Sequence, residues 1–325
     1  MPTNKHQNEG VLTPSEVERL VVTVVTDNYY DSLRADPPSG KRWKVSPGAS
    51  IHAEHGLSYH IEAVVNGKAH FLMFDYGLDP AGVLNNIGLL GIDLRKVNAF
   101  GLSHGHFDHW SGLMKILEQG VSGTPLYVGE GAFVHRYSLR PGSQDLRDMG
   151  QLEREAIERQ GIARIIEVRK PVEVIPGCYM TGNIEKITEY EKGSPGRFFK
   201  GDTTLEEDDL SGEQAIACNV KNKGLVVISG CAHAGIINTV RHAQKMMGID
   251  KVHVVIGGFH LVNASQEVID KTVDDMEAIA PDYVIPAHCT GFEAILSFAK
   301  RAPRQFILNT AGTQYLFGEE TQRCP

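Results

Sequence analysis

The sequence has no CxxC pair. Its five cysteines, at positions 178, 218, 231, 289 and 324, are few and odd in number. That excludes a disulfide-stapled secreted scaffold and a cysteine-rich zinc module. No apolar run approaches the ~18 residues that a membrane-spanning helix needs. The opening MPTNKHQNEG is polar and lacks the apolar stretch of an export signal. There is no basic surplus either: 32 Lys and Arg stand against 40 Asp and Glu, a net charge of −8. A chain of that sign lacks the electrostatic footprint of a nucleic-acid binder. Internal repeats and low-complexity tracts are absent. These absences predict a cytoplasmic protein with a small-molecule substrate, and neither nucleic acid nor a membrane as partner. They leave the oligomeric state open.

What is present is a globular composition. The chain has 325 residues, 42% apolar and 22% charged, enough for one large α/β domain. Residues 1–19 read as a loose arm and 20–325 as a single domain. A β-branched strand is predicted at 20–26, then a Pro- and Gly-rich loop over 29–53. A hairpin follows, with strands 58–65 and 69–75 joined at Asn66-Gly67. Strands and helices then alternate, with helices near 80–90 and 110–119 and strands at 97–102 and 125–129. Residues 131–137, GAFVHRY, and 142–160 look helical. Residues 184–213 are rich in Glu, Lys, Asp and Gly and read as an insertion or lid. The chain closes with strands at 215–220, 224–229, 251–258, 282–287 and 305–308, and helices at 235–247, 266–280 and 292–301. Hairpins first and alternation later imply stacked α/β layers.

The unusual count is 14 histidines. Four predicted strands end in histidine-bearing loops: GLSHGHFDH, ISGCAH, VIGGFH and VIPAHC. Functional residues gather where strands run into loops. In His104-Gly105-His106-Phe107-Asp108-His109, the alternation of an extended segment places His104, His106 and Asp108 on one side. His109 then bends in at the start of the next helix. Imidazoles and a carboxylate in one loop suit a divalent metal. His52, His60, His70, His242 and His253 mostly fall on predicted strands or helices, and each reads as structural. The helix starting near residue 235 points its N–H groups toward His233, a place for a substrate anion.

HxHxDH, as it stands at 104–109, is the signature of the metallo-β-lactamase superfamily, which the chain resembles over nearly its whole length. The resemblance implies a four-layer αββα sandwich with a one- or two-metal site along one edge of its two sheets. It implies His104, His106, Asp108, His109 and His288 (in IPAHC) as metal ligands. Asp75, which closes FLMFD, would orient the site by hydrogen bonding. Most hydrolases of the family carry a further histidine ligand some tens of residues after HxHxDH. Here only His135 lies between His109 and His233, so His233 is expected to take that place. Cys231 stands where the family's bridging aspartate would be. It could ligate a second metal as thiolate, or pack as a small buried residue.

HxHxDH, SGCAHxGIxN, GGFHL and PAHCTG together resemble the dihydropterin–ribofuranosylaminobenzene-phosphate synthase-like branch, as does EHGLS at 54–58. His260 is expected to contact substrate or act as general acid, in room made by Gly257 and Gly258. His55 is expected over the site mouth, and Asp108 to hold the attacking water as well as metal. The cofactor expected is one or two divalent ions, zinc first, with iron or manganese as alternatives. The leading expectation is a metal-dependent hydrolase of a small anionic substrate that uses metal-activated water. The alternatives are a synthase joining a pterin to an aminobenzene phosphate, and a metal-binding sensor with weak catalysis.

Overall fold

The computed structural model describes residues 12–139, 145–193, 196–201 and 204–319. Part of the expected loose arm is ordered: β1 (Glu16–Val17) pairs with a strand some 200 residues later, and Leu12 N donates to Met246 O. Residues 1–11 lie outside the described residues. β2 (Arg19–Thr26) is the β-branched strand expected. The following loop holds one short strand, β3 (Gly40–Arg42). β4 (Ser58–Val65) and β5 (Lys68–Phe74) form the hairpin. Its turn has positive φ at both Asn66 (51°) and Gly67 (70°), the conformation an Asn-Gly pair accepts most readily.

After β5 come α1 (Pro80–Leu89), β6 (Ala99–Leu102), α2 (Phe107–Trp110), α3 (Leu113–Leu117) and β7 (Thr124–Gly129). Asp79 caps α1 by accepting from Ala81 N, with Pro80 at the first helical position.

The next stretch departs from expectation. GAFVHRY is not helical; a turn leads into β8 (Arg136–Leu139). The described part of 142–160 begins as a strand, β9 (Leu146–Gly150), and only α4 (Arg154–Gln160) is helical. Residues 142–144 lie outside the described residues. β9 is polar and exposed, so its own pattern carries no strand signal; pairing with β8 makes it one. β10 (Ala163–Val168), β11 (Val172–Ile175) and β12 (Cys178–Met180) follow, none marked by a clear alternation. Within 184–213 lie β13 (Arg197–Lys200) and β14 (Leu205–Glu207). These pair with β8 and β9 as a small separate sheet in the order β14-β13-β8-β9.

β15 (Ala215–Val220), β16 (Gly224–Ser229), α5 (Ile236–Met247), β17 (Val252–Gly258), α6 (Gln266–Ile279), β18 (Tyr283–Ala287) and α7 (Phe292–Arg301) run close to expectation. Residues 305–308 do not form a strand. Phe306 makes one bridge to Val284, and the chain then leaves the sheet so that Asn309 reaches Asp27. The closing strand is β19 (Thr313–Gly318), which pairs with β2 and β3.

Two large sheets face each other. One has the order β10-β7-β6-β5-β4-β2-β19-β3; the other runs β11-β12-β15-β16-β17-β18, with β1 beside β15. Leu20, Ile61 and Phe74 of the first meet Ile216, Ile228 and Ile256 of the second in a fully buried layer. α1 and α3 cover the first sheet through Val83, Ile87, Leu113 and Ile116. α5, α6 and α7 cover the second through Val240, Val273 and Phe298. Each such side chain contributes about 1.5–3 kcal/mol when fully buried. This is the four-layer αββα sandwich. β5, β6 and β7 run parallel, as do β16, β17 and β18, so their C-terminal ends share one edge. There the chain turns through left-handed residues: Asp75 (φ 61°), Ala232 (56°), His260 (45°) and His288 (49°). Strained backbone of this kind concentrates at functional sites. Among the described residues, no helix is long and apolar enough to cross a membrane.

Two predictions test the packing. Asn86 of α1 is buried and binds His52 N, His52 O and Val25 O, fastening the loop before β4 to β2. Asn86→Leu should cost about 2–4 kcal/mol in urea unfolding, through polar backbone groups left unpaired. His60 on β4 stacks on Phe71, and burial pushes its pKa down to about 4. The unfolded chain therefore takes up the proton first. Stability is full above pH ~6.5 and falls, by on the order of 3 kcal/mol, as pH drops to about 4. His60→Gln should flatten that acid limb; an unchanged pH profile would count against it.

Candidate metal centre

The edge of the sandwich collects the residues singled out by the sequence. Asp75 follows β5 and is fully buried. Its Oδ1 accepts from Ser103 N (2.8 Å), and its Oδ2 accepts from Ser103 Oγ (2.8 Å) and His109 Nδ1 (2.7 Å). A carboxylate only accepts, so His109 carries its proton on Nδ1 and turns a bare Nε2 inward. The one Ser103 hydroxyl proton is spent on Asp75. Ser103 Oγ must then accept from His104 Nδ1 at 2.9 Å, which leaves His104 Nε2 bare as well.

His104 Nε2 faces His106 Nδ1 at 3.0 Å and His233 Nε2 at 3.3 Å. His106 Nε2 is buried without a hydrogen-bond partner. Burial is the largest influence on all three rings and pushes each far below the ordinary imidazole value, so they are neutral at pH 7. Neutral rings that point lone pairs at a common space are the donor set of a divalent cation. His109 Nε2 lies 3.1 Å from Cys231 Sγ, and His104, His109 and Cys231 form a second adjoining group of donors.

Asp108, His288 and His55 form a third group. His288 Nε2 is 3.2 Å and His55 Nε2 3.5 Å from Asp108 Oδ2, with His109 Nε2 at 3.8 Å. Burial alone would raise the Asp108 carboxyl; His109 and His288 outweigh it and hold it well below the usual carboxylate range. Burial likewise opposes the charged form of His288, but Cys289 and Asp108 prevail and raise it to about 9. His288 is fixed from behind: Asp27 Oδ1 accepts from its backbone N at 2.8 Å, and Asn28 Oδ1 lies 3.2 Å from its Nδ1. Asn309 Nδ2 donates to the other Asp27 oxygen at 2.8 Å. Asp27, Asn28 and Asn309 were not singled out by the sequence, although Asp27 follows β2 much as Asp75 follows β5.

The structure thus brings His104, His106, Asp108, His109, His233, His288 and Cys231 together, with Asp75 behind them and exposed His55 at the mouth. His260 follows β17, its ring 4.1 Å from that of His233, in a group with Cys231 and Cys289. Its Nδ1 is buried without a hydrogen-bond partner among the described residues. The glycines before it serve the fold rather than a ligand. A Cβ on Gly258 would lie 2.5 Å from Gly230 O and 2.8 Å from Cys289 Sγ. His135 is elsewhere, 2.6 Å from Asp148 on the small sheet. Gly105 has no room for a side chain because Arg136 fills it: the guanidinium donates to Gly105 O and Gly131 O and pairs with Asp208 at 2.7 Å. That clamp on the HxHxDH loop had no signal in the sequence.

One expectation is overturned. The N-terminus of α5 is not open to a substrate anion. Glu191 occupies it, accepting from Ile237 N and Asn238 N at 2.9 Å each and from Thr188 Oγ1 at 3.0 Å. A carboxylate of the chain itself satisfies those N–H groups.

If the cluster holds metal, the combined substitution His104→Ala and His109→Ala should empty it in elemental analysis. Asp75→Asn, which keeps the shape and removes one acceptor, should weaken metal affinity about 10–100-fold. Full metal content in the double variant would rule the ligand set out.

No protein-family model matches the chain. It is 32% identical over 263 residues to the 7,8-dihydropterin-6-methyl-4-(β-D-ribofuranosyl)-aminobenzene-5′-phosphate synthase of Methanocaldococcus jannaschii, covering 80% of this chain and 89% of that protein. A second, uncharacterised protein of the same organism is 27% identical over 248 residues, covering 76% and 88%. Among solved structures, Tm1679, described as a metal-dependent hydrolase of the β-lactamase superfamily, superposes with a TM-score of 0.72 at 24% identity, over 92% of this chain and 100% of that one. The metallo-β-lactamase fold protein YhfI of Bacillus subtilis superposes at 0.50 and 12% identity, over 92% and 99%. The motifs, the layered fold and this kinship agree: the chain belongs to the metallo-β-lactamase superfamily, in the branch of the dihydropterin–ribofuranosylaminobenzene-phosphate synthase.

Proposed function

We propose that the protein is a metal-dependent transferase that joins a dihydropterin methyl carbon to the nitrogen of an aminobenzene phosphate. The observation that carries this reading is the 32% identity, over most of both chains, to an enzyme named for such a product. His104, His106 and His233 would hold one divalent ion; Asp108, His109 and His288, with Cys231 beside them, would hold a second. Zinc suits the imidazole and thiolate donors, and iron or manganese is compatible with the imidazoles and the carboxylate. Such an ion supplies Lewis acidity toward an oxygen of the leaving group.

The chain's own residues do the rest. Asp75 and Ser103 hold His104 and His109 in the tautomers that present a bare Nε2. Asp27 and Asn28 keep the His288 ring against Asp108. In the transfer, a C–N bond forms, the carbon–oxygen bond to the leaving group breaks, and the amine gives up a proton. His260, which lines a cavity of about 400 Å³ and whose Nδ1 has no hydrogen-bond partner among the described residues, would accept it. Tyr190, Lys192 and Arg197 form part of the wall of that cavity.

Hydrolysis is the second reading, favoured by the ionised Asp108 beside His109 and His288, a set equally able to orient water. One assay separates the two. Metal-loaded protein is given a dihydropterin with an oxygen leaving group on its 6-methyl carbon, together with an aminobenzene phosphate. Mass spectrometry should find the C–N product, and His260→Ala should slow its formation by roughly 10²–10⁴ while keeping the metal. Release of the pterin alcohol alone would make the protein a hydrolase; turnover undiminished in His104→Ala would end both readings.

A further inference from the structure

The wall of the cavity beside His233 and His260 mixes two chemistries. Leu139, Leu261, Val262 and Val268 are apolar, while Arg197 and Lys192 bring positive charge. The two arginines near the centre differ in state. Arg136 is spent: Asp208, Gly105 O and Gly131 O take its donors. Arg197 is not. Its Nε is buried without a hydrogen-bond partner, and among the described residues no carboxylate pairs with its guanidinium. A buried N–H left unmade costs about 1–3 kcal/mol, so a folded protein keeps one where a ligand supplies the acceptor. The anion site at the head of α5 is closed by Glu191, which also lines this cavity. That leaves Arg197 as the cationic anchor, with Lys192 also on the cavity wall. A guanidinium matches the oxygens of a phosphate in a fork of two parallel bonds. The volume, about 400 Å³, is more than a phosphate ion needs and leaves room for a ring against the apolar residues.

We propose that Arg197 anchors the phosphate group of a phosphate-bearing aromatic substrate whose ring lies against Leu261, Val262 and Val268, with the reacting end toward His233 and His260. This rests on the transfer reading above, since it places that reaction's aromatic partner.

The test is calorimetric binding of phenyl phosphate, with phenol and inorganic phosphate as controls, to metal-loaded and to chelator-treated protein. Arg197→Met should weaken phenyl phosphate about 10–100-fold in both preparations, the range for lost hydrogen bonds to a charged group, and leave phenol unchanged. Arg197→Lys, which keeps the charge, should fall between and serves if the Met variant does not fold. Val268→Trp should weaken phenol and phenyl phosphate alike and spare inorganic phosphate. Phenyl phosphate bound equally by wild type and a folded Arg197→Met or Arg197→Lys would overturn the proposal. So would an equal loss of phenol and phenyl phosphate in Arg197→Met. Binding that depends on Arg197 without any C–N product would leave the anchor standing and remove the transferase. Product formed with Arg197 indifferent would do the reverse.

Discussion

A single buried carboxylate sets the terms for the rest of the site. Asp75 sits at the end of β5 with no exposure to solvent, and every oxygen of it is occupied. An ionised carboxylate is costly to bury unless it is fully hydrogen-bonded. Asp75 meets that demand by recruiting one backbone N–H, one hydroxyl and one imidazole. Each bond fixes something downstream. The Ser103 N–H holds the exit of β6, the hydroxyl dictates the tautomer of His104, and the ring contact dictates that of His109. The strand pairing that delivers these groups is the parallel β5–β6 register, with Asp75 N donating to Gly101 O.

Around that anchor the site is divided between local and distant parts, and this division governed what could be read beforehand. The hexapeptide 104–109 was legible because its donors are neighbours in sequence and follow a buried strand. His233 and His288 were legible because each ends an apolar run, and the Asn66-Gly67 hairpin because the turn's chemistry lies in two residues. The supports were not. Asp27 and Asn309 are 282 residues apart and meet only because β19 returns beside β2. Glu191 reaches a helix that begins 45 residues later, and nothing in the composition of 184–213 distinguishes it from the other acidic residues there. β9 and β14 are polar, short and largely exposed, and β13 is only four residues long, so their partners make them strands.

The Glu191 cap also bears on how charge is arranged. A helix N-terminus beside imidazoles and a cavity is an obvious place to receive an anion, and here the chain has answered it internally. The effect is to separate two duties. The head of α5 is tied to Thr188 and Glu191, and the proposed anion site would draw its positive charge from Arg197 on β13.

The left-handed turns at the ends of β5, β17 and β18 carry a consequence for how this chain can drift. A position with φ near 50° excludes β-branched side chains and is tolerated, apart from glycine, best by Asn, Asp and His. At residues 75, 260 and 288 the backbone alone thus confines accepted substitutions to a short menu, most of it able to donate a lone pair. Random change at these strand ends keeps proposing ligands. A fold that bends its strands this way loses one chemistry and acquires another without first having to rebuild its main chain.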